Sequence, residues 1–185
     1  KVTANNETLI DYDDWFEKRI YDWMVNKRGV GDKVPPPYTE LKTDRNSIDI
    51  WGRRYTFSDT GLPLSFVSQG KSLLAGEAVL EVYTGGKKLP ISVTSPFVFA
   101  EKTPGQVSAV SQIKAGEVAM ELKSTTEYDG FTLFKLTYRP VDNKPVRVGR
   151  IRLKVPLTGE YVRFYSAAGD TMGTGILGEV VPQKD

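Results

Sequence analysis

Two periodicities divide the chain. Between Asp13 and Gly29 the large apolar residues Trp15, Phe16, Ile20, Trp23 and Met24 recur at spacings of three and four, which predicts an amphipathic helix. Asp13 is placed to cap it, Asp14 and Glu17 fall in its first turn, and Lys27, Arg28 and Gly29 close it, in the charge order the helix dipole favours. Its apolar stripe is wide enough that it must pack on something. Gly29, Gly31 and the run Pro35-Pro36-Pro37 then predict an extended, semi-rigid connector.

Beyond the connector the period becomes two. Ile48 and Ile50 alternate with Asp49 and Trp51, and Gly52-Arg53-Arg54 predicts a turn or bulge before Tyr55-Thr56-Phe57. Ala78, Leu80 and Val82 share one face, with Glu77, Glu81 and Tyr83 on the other. Gly85-Gly86 turns the chain into Leu89, Ile91 and Val93 as a hairpin. Phe97 and Phe99, then Val107, Ala109 and Ile113, then Val118, Met120 and Leu122, then Phe134, Leu136 and Tyr138 mark further strands. Near the end, Arg150, Arg152 and Lys154 face away from Ile151, Leu153 and Val155. Val146 and Val148 have the opposite parity, so a bulge is expected at Gly149. The fold class these patterns predict is mainly β: an antiparallel β-sandwich of about ten short strands with one N-terminal helix. Residues 1–34 read as tail, helix and linker, and residues 35–185 as the sandwich domain.

Composition narrows the chemistry. The 185 residues carry 25 Lys+Arg against 23 Asp+Glu, a net charge of +2, so no footprint for nucleic acid or an anionic membrane surface is expected. The absence of both His and Cys excludes Ser-His-Asp and Cys-His hydrolysis and ordinary zinc chemistry within this chain. No cofactor and no metal are expected. No apolar run approaches the roughly 20 residues that span a bilayer. The chain starts at Lys1, not Met, and stops just after the apolar pair Val180-Val181, so it reads as a piece of a longer protein.

Each remaining motif has a plain structural explanation. Gly173-Thr174-Gly175-Ile176-Leu177-Gly178 matches G-x-G-x-x-G, yet a dinucleotide site needs a helix after it, and Glu179-Val180-Val181-Pro182 reads as strand. Glu127 and Asp129 could be the carboxylate pair of a glycosidase, but Asp129-Gly130 is first a turn dipeptide. Asp11, Asp13 and Asp14 read as helix-capping residues, and no calcium-binding loop is present. Arg150, Arg152 and Lys154 read as a solvated strand face, with an anionic ligand as the alternative. Trp51, Tyr55 and Tyr83 are the candidate carbohydrate-binding residues, because sugars stack their C–H faces on aromatic rings. The competing reading packs Trp51 under the helix or against another domain. No catalytic residue is assigned.

An ordered series of short motifs carries a family resemblance. Val34-Pro35-Pro36-Pro37-Tyr38-Thr39, Ile50-Trp51-Gly52-Arg53-Arg54-Tyr55-Thr56-Phe57, Gly61-Leu62-Pro63, Leu73-Leu74-Ala75-Gly76, Glu127-Tyr128-Asp129-Gly130-Phe131 and Leu153-Lys154-Val155-Pro156-Leu157 occur in turn. Together they resemble the sandwich region of large exported bacterial proteins similar to glycoside hydrolase family 123. The resemblance covers about residues 25–185. It implies a multi-domain parent with β-sandwich regions around a (β/α)₈ catalytic domain acting on terminal N-acetylgalactosamine. An Asp–Glu pair of that barrel would work with assistance from the substrate's acetamido group, and neither residue maps onto this sequence. The implied partners are the catalytic domain of the same polypeptide and a glycan, and the implied location is outside the cytoplasm. The expected role is a non-catalytic segment of a carbohydrate-processing protein, with a glycan-binding module as the alternative.

Overall fold

A computed structural model describes residues 33–142, 144–162, 164–168 and 175–179. The helix expected between Asp13 and Gly29 lies outside the described residues. The first sheet is a five-stranded meander of β1 (Lys42–Asp44), β2 (Ser47–Ile50), β3 (Arg53–Phe57), β4 (Pro63–Ser68) and β5 (Lys71–Ser72). The chain continues through β6 (Val79–Thr84) and β7 (Lys87–Leu89). It then forms the long strands β8 (Ile91–Lys102), β9 (Gln106–Ala115), β10 (Val118–Glu127) and β11 (Thr132–Pro140), a four-stranded sheet in the order β11-β10-β9-β8. β12 (Arg150–Lys154) returns beside β6 to give the order β12-β6-β7. β13 (Phe164–Ala168) and β14 (Gly175–Glu179) form a hairpin of their own. Every pairing is antiparallel.

The mainly β class follows from the alternation, but the strand inventory differs from the expectation of about ten short ones. Fourteen strands occur among the described residues, and β8 to β11 are 12, 10, 10 and 9 residues long. Strict alternation explains the length of β9 and β10. Val107, Ala109, Ile113 and Ala115 of β9 and Val118, Met120 and Leu122 of β10 are all buried on one face. A pleat that keeps its period has no reason to break.

The meander and the β12-β6-β7 sheet both pack on that same face. At one end, Ile48, Ile50, Tyr55 and Phe57 of the meander meet Phe97, Val107 and Ala109. At the other, Val82 of β6, with Leu80, Leu89 and Ile151, meets Ile113, Ala115, Val118 and Met120. Leu62, Ala78 and Leu122 join the two regions. Phe57 is fully buried, stacked on Phe97 at 5.1 Å and edge-on to Phe66 at 6.0 Å. Removing a ring of this kind from water contributes about 1.5–3 kcal/mol.

The turns test the local readings. Gly85 and Gly86 have φ of 55° and 79°, the left-handed pair a two-residue hairpin needs, and they set Thr84 opposite Lys87. Trp51 and Gly52 form the two-residue turn between β2 and β3, so Arg53 and Arg54 are already in strand, not in the expected turn or bulge. Pro35-Pro36-Pro37 is not an extended connector. It folds into a turn in which the Tyr38 N–H donates to the Pro35 carbonyl at 3.0 Å and the Pro36–Pro37 peptide is cis. Gly149 is not a bulge within the ladder. It immediately precedes β12, and its N–H donates to the Tyr83 carbonyl at 2.9 Å. Val146 and Val148 still pack against the Val82 region, so the change of parity occurs outside the strand pairing.

Candidate functional site

The aromatic candidates occupy three different settings. Trp51, at the tip of the β2–β3 turn, is 47% exposed. Tyr38 meets it edge-on, with ring centroids 5.7 Å apart, and Tyr128 meets Tyr38 at 5.2 Å. The proline turn delivers Tyr38 to this position. Tyr128 is held by its N–H, which donates to the Gly105 carbonyl at 2.9 Å. These residues make a small aromatic cluster on the rim of the meander. Tyr38 and Tyr128 were not among the sequence candidates, because 90 residues separate them and no local pattern joins them.

Tyr55 is not available to a sugar. It is buried, its ring stacks on Phe66 at 4.1 Å, and its hydroxyl donates to the Gly130 carbonyl at 3.3 Å. Ile48 stands directly opposite it on β2, so both face the core. Tyr83 lies on the β12-β6-β7 sheet, with the Arg150 guanidinium 4.4 Å over its ring. The structure therefore does not bring Trp51, Tyr55 and Tyr83 into one groove. Glu127 and Asp129 serve the turn that the Asp-Gly dipeptide predicts. The Gly130 N–H donates to the Glu127 carbonyl at 2.9 Å, and Asp129 Oδ1 accepts the Phe131 N–H at 2.8 Å. Arg53 holds the same turn through the Asp129 carbonyl.

The most organised polar cluster centres on Glu81, which no sequence reading selected. Glu81 points away from the core, yet its side chain is only 6% exposed because cations cover it. Lys88 Nζ lies 2.9 Å from Oε1, Lys154 Nζ 3.2 Å from the same oxygen, and Arg152 3.8 Å from Oε2. The Tyr83 hydroxyl donates to Oε2 at 3.1 Å. The Lys88 hydrogen bond is the largest cause holding the Glu81 carboxyl down at about 2; burial opposes it, and bonds from Lys154 and Tyr83 add to it. The same Lys88–Glu81 bond pushes the Lys88 ammonium above its ordinary value. β7 and β12 flank β6, so the cluster ties all three strands together. Half of it was legible. The Gly85-Gly86 hairpin sets Lys88 opposite Tyr83, one step from Glu81 on the same face. The β12 contribution rests on a pairing across about 70 residues.

A third feature is a shallow depression of about 320 Å³ on the outer face of the long sheet. It lies over Ala119, whose cross-strand neighbours are Lys114 and Arg139. Gln112, Glu121 and Thr137 complete its rim. Among the described residues no group of three or more His, Cys, Asp or Glu side chains could hold a metal.

This architecture defines a mainly β domain of antiparallel sheets, stabilised by an apolar seam and a charge clamp. The glycoside hydrolase 123 third-domain model matches residues 41–185, and the chain belongs to that family. The match includes every strand described above. The family expected from the ordered motifs is thus the family found, through one of its domains. A search of curated proteins gives no match.

Proposed function

We propose that this chain is a non-catalytic β-sandwich segment of a larger, exported glycoside hydrolase, and that it buttresses a catalytic domain of the same polypeptide. The match of residues 41–185 to a third domain carries this reading. The use of Glu127 and Asp129 in a turn supports it. Residues 1–34 would form a tail, helix and linker ahead of the sandwich. A surface for the neighbouring domain is suggested where β12 ends its sheet. Leu153 is on the core-facing side opposite Leu80, yet it remains 53% exposed, and Val155 and Leu157 after it are also exposed. Among the described residues no helix is long and apolar enough to cross a membrane.

Intact mass of the natural protein, with peptide sequencing past Asp185, tests the reading. A product much larger than 20.6 kDa that continues into alternating strands and helices is expected. A natural product ending at Asp185 would overturn it.

The Tyr38–Trp51–Tyr128 cluster favours a second reading, glycan binding by aromatic stacking at the rim of the meander. A panel of neutral oligosaccharides should then shift the Trp fluorescence of the chain, and Trp51→Ala should abolish the shift. A response that survives Trp51→Ala, or no response to any sugar, rejects it.

A further inference from the structure

We infer that the outer face of the β12-β6-β7 sheet binds an anionic glycan, a sugar chain bearing sulfate or carboxylate groups. The inference rests on the carbohydrate-processing reading above for the nature of the ligand, and on geometry for its place. The register puts Arg150, Arg152 and Lys154 of β12, Val79, Glu81 and Tyr83 of β6, and Lys88 of β7 on one face. Within the three paired strands, four cations therefore share this face with one carboxylate, an excess of 4 − 1 = +3. The whole chain carries only +2. A balanced sequence has been folded into a concentrated basic face.

Clamping the three strands accounts for part of this charge, but not for all of it. Lys88 and Lys154 lie within 3.2 Å of Glu81, and the Tyr83 hydroxyl donates to it. Arg152 stands 3.8 Å from the carboxylate, beyond hydrogen-bond distance. Among the described residues Arg150 has no acidic partner; its guanidinium rests over the Tyr83 ring at 4.4 Å. A guanidinium held against a ring loses less freedom when it grips a planar oxyanion, and its fork of N–H groups suits sulfate and carboxylate alike. Alternate residues of a strand lie about 6.8 Å apart, so β12 offers a straight row of cations suited to an extended polyanion.

The outer face of the long sheet also carries cations, at Lys114, Lys123, Lys135 and Arg139. There they are spread over three strands and interleaved with Glu121 and Glu127, and Lys123 is paired with Glu121 at 3.2 Å. That face supplies the control. A nucleic acid is disfavoured because the basic row is one short strand of five residues on a near-neutral chain.

The test is an amide chemical-shift titration of the 185-residue chain near physiological salt, with dextran sulfate, polygalacturonate, uncharged dextran and sodium sulfate as separate probes. The expected result is a response to dextran sulfate or polygalacturonate, centred on residues 79–88 and 150–154, with none to dextran. Whichever polyanion responds identifies the oxyanion. Arg150→Gln with Arg152→Gln leaves Lys88 and Lys154 on Glu81, and should weaken binding at least tenfold. Lys123→Gln with Lys135→Gln removes the same charge from the other face and should change it less than twofold. Equal losses in both double variants would overturn the inference, as would shifts centred on the long sheet or an equal response to dextran. Sodium sulfate reproducing the full response would replace the glycan by a free anion. No response to either polyanion would also overturn it, and would leave the charge to an acidic protein neighbour. The unmodified chain supplies the map, so the test does not depend on a variant folding. The intact-mass measurement judges the accessory-domain reading separately.

Discussion

The two regions that cover the long sheet solve the same packing problem differently. The five-stranded meander covers its end with rings: Phe57 stacks on Phe97, Phe66 stacks on Tyr55, and Phe134 lies nearby. The β12-β6-β7 sheet covers the other end with aliphatic side chains, Leu80, Val82, Leu89 and Ile151. It is only three strands wide, and β12 at its edge leaves Leu153 half in solvent. There a buried carboxylate on the middle strand gathers cations from both neighbours. The meander has ion pairs on its outer side too, Arg54 with Asp49 at 2.7 Å and with Asp44 at 3.6 Å, but those carboxylates stay in solvent; only the narrow cover buries its carboxylate beneath the cations that hold it.

The largest expected effect breaks the aromatic end. Phe57→Ala removes a fully buried ring with three aromatic neighbours, Phe66, Phe97 and Phe134, and should cost about 3–5 kcal/mol, read as a lower urea midpoint at unchanged slope. A loss under about 1 kcal/mol would mean that the rings are not the main support of that end. Next comes the joint between the regions. Gly61 has φ of 82°, and a Cβ there would sit 2.5 Å from Ser111 Oγ, which is itself bonded to the Thr60 carbonyl at 2.7 Å. Gly61→Ala should cost about 1–3 kcal/mol by thermal or urea unfolding, and a neutral result would show that neither the left-handed backbone nor the Ser111 contact constrains this turn.

The clamp is addressed by pH. The Glu81 carboxyl sits at about 2 in the folded chain against an ordinary 4.5. A depressed carboxyl contributes stability that is present above its unfolded value and lost as pH falls through its folded one. The melting temperature should therefore decline between about pH 4.5 and 2, and Glu81→Gln should start lower at neutral pH and show a flatter decline. Parallel curves for the two proteins would assign the acid sensitivity elsewhere. The smallest effect is expected at the rim: Trp51→Ala should leave stability within about 0.5 kcal/mol, because the ring is half in solvent. A larger loss would make the Tyr38–Trp51–Tyr128 cluster a structural support instead of a ligand platform.

Much of this was legible in the residues. Alternation located the strands because the pleat turns successive side chains to opposite faces, whatever lies beyond them. Val107 to Ala115 and Val118 to Leu122 were readable for that reason, and Gly85-Gly86 disclosed both a turn and a register. The candidate site was less legible. Alternation says that Tyr55 and Ile48 each lie on one of two faces; the β2–β3 register puts both in the core. The proline run suggested an extended connector, and only the folded turn brings Tyr38 to Trp51.

By itself, then, the sequence determined the mainly β class, the positions of its long strands, the two-glycine hairpin and the row of cations on β12, since all of these arise from neighbours in the chain. Only the tertiary structure decided that β12 lies beside β6, that Glu81 is buried beneath Lys88 and Lys154, and that Arg150 rests on Tyr83. The physical reason is that pleat and turn are local, whereas the choice of strand partner closes a long loop and depends on the whole chain.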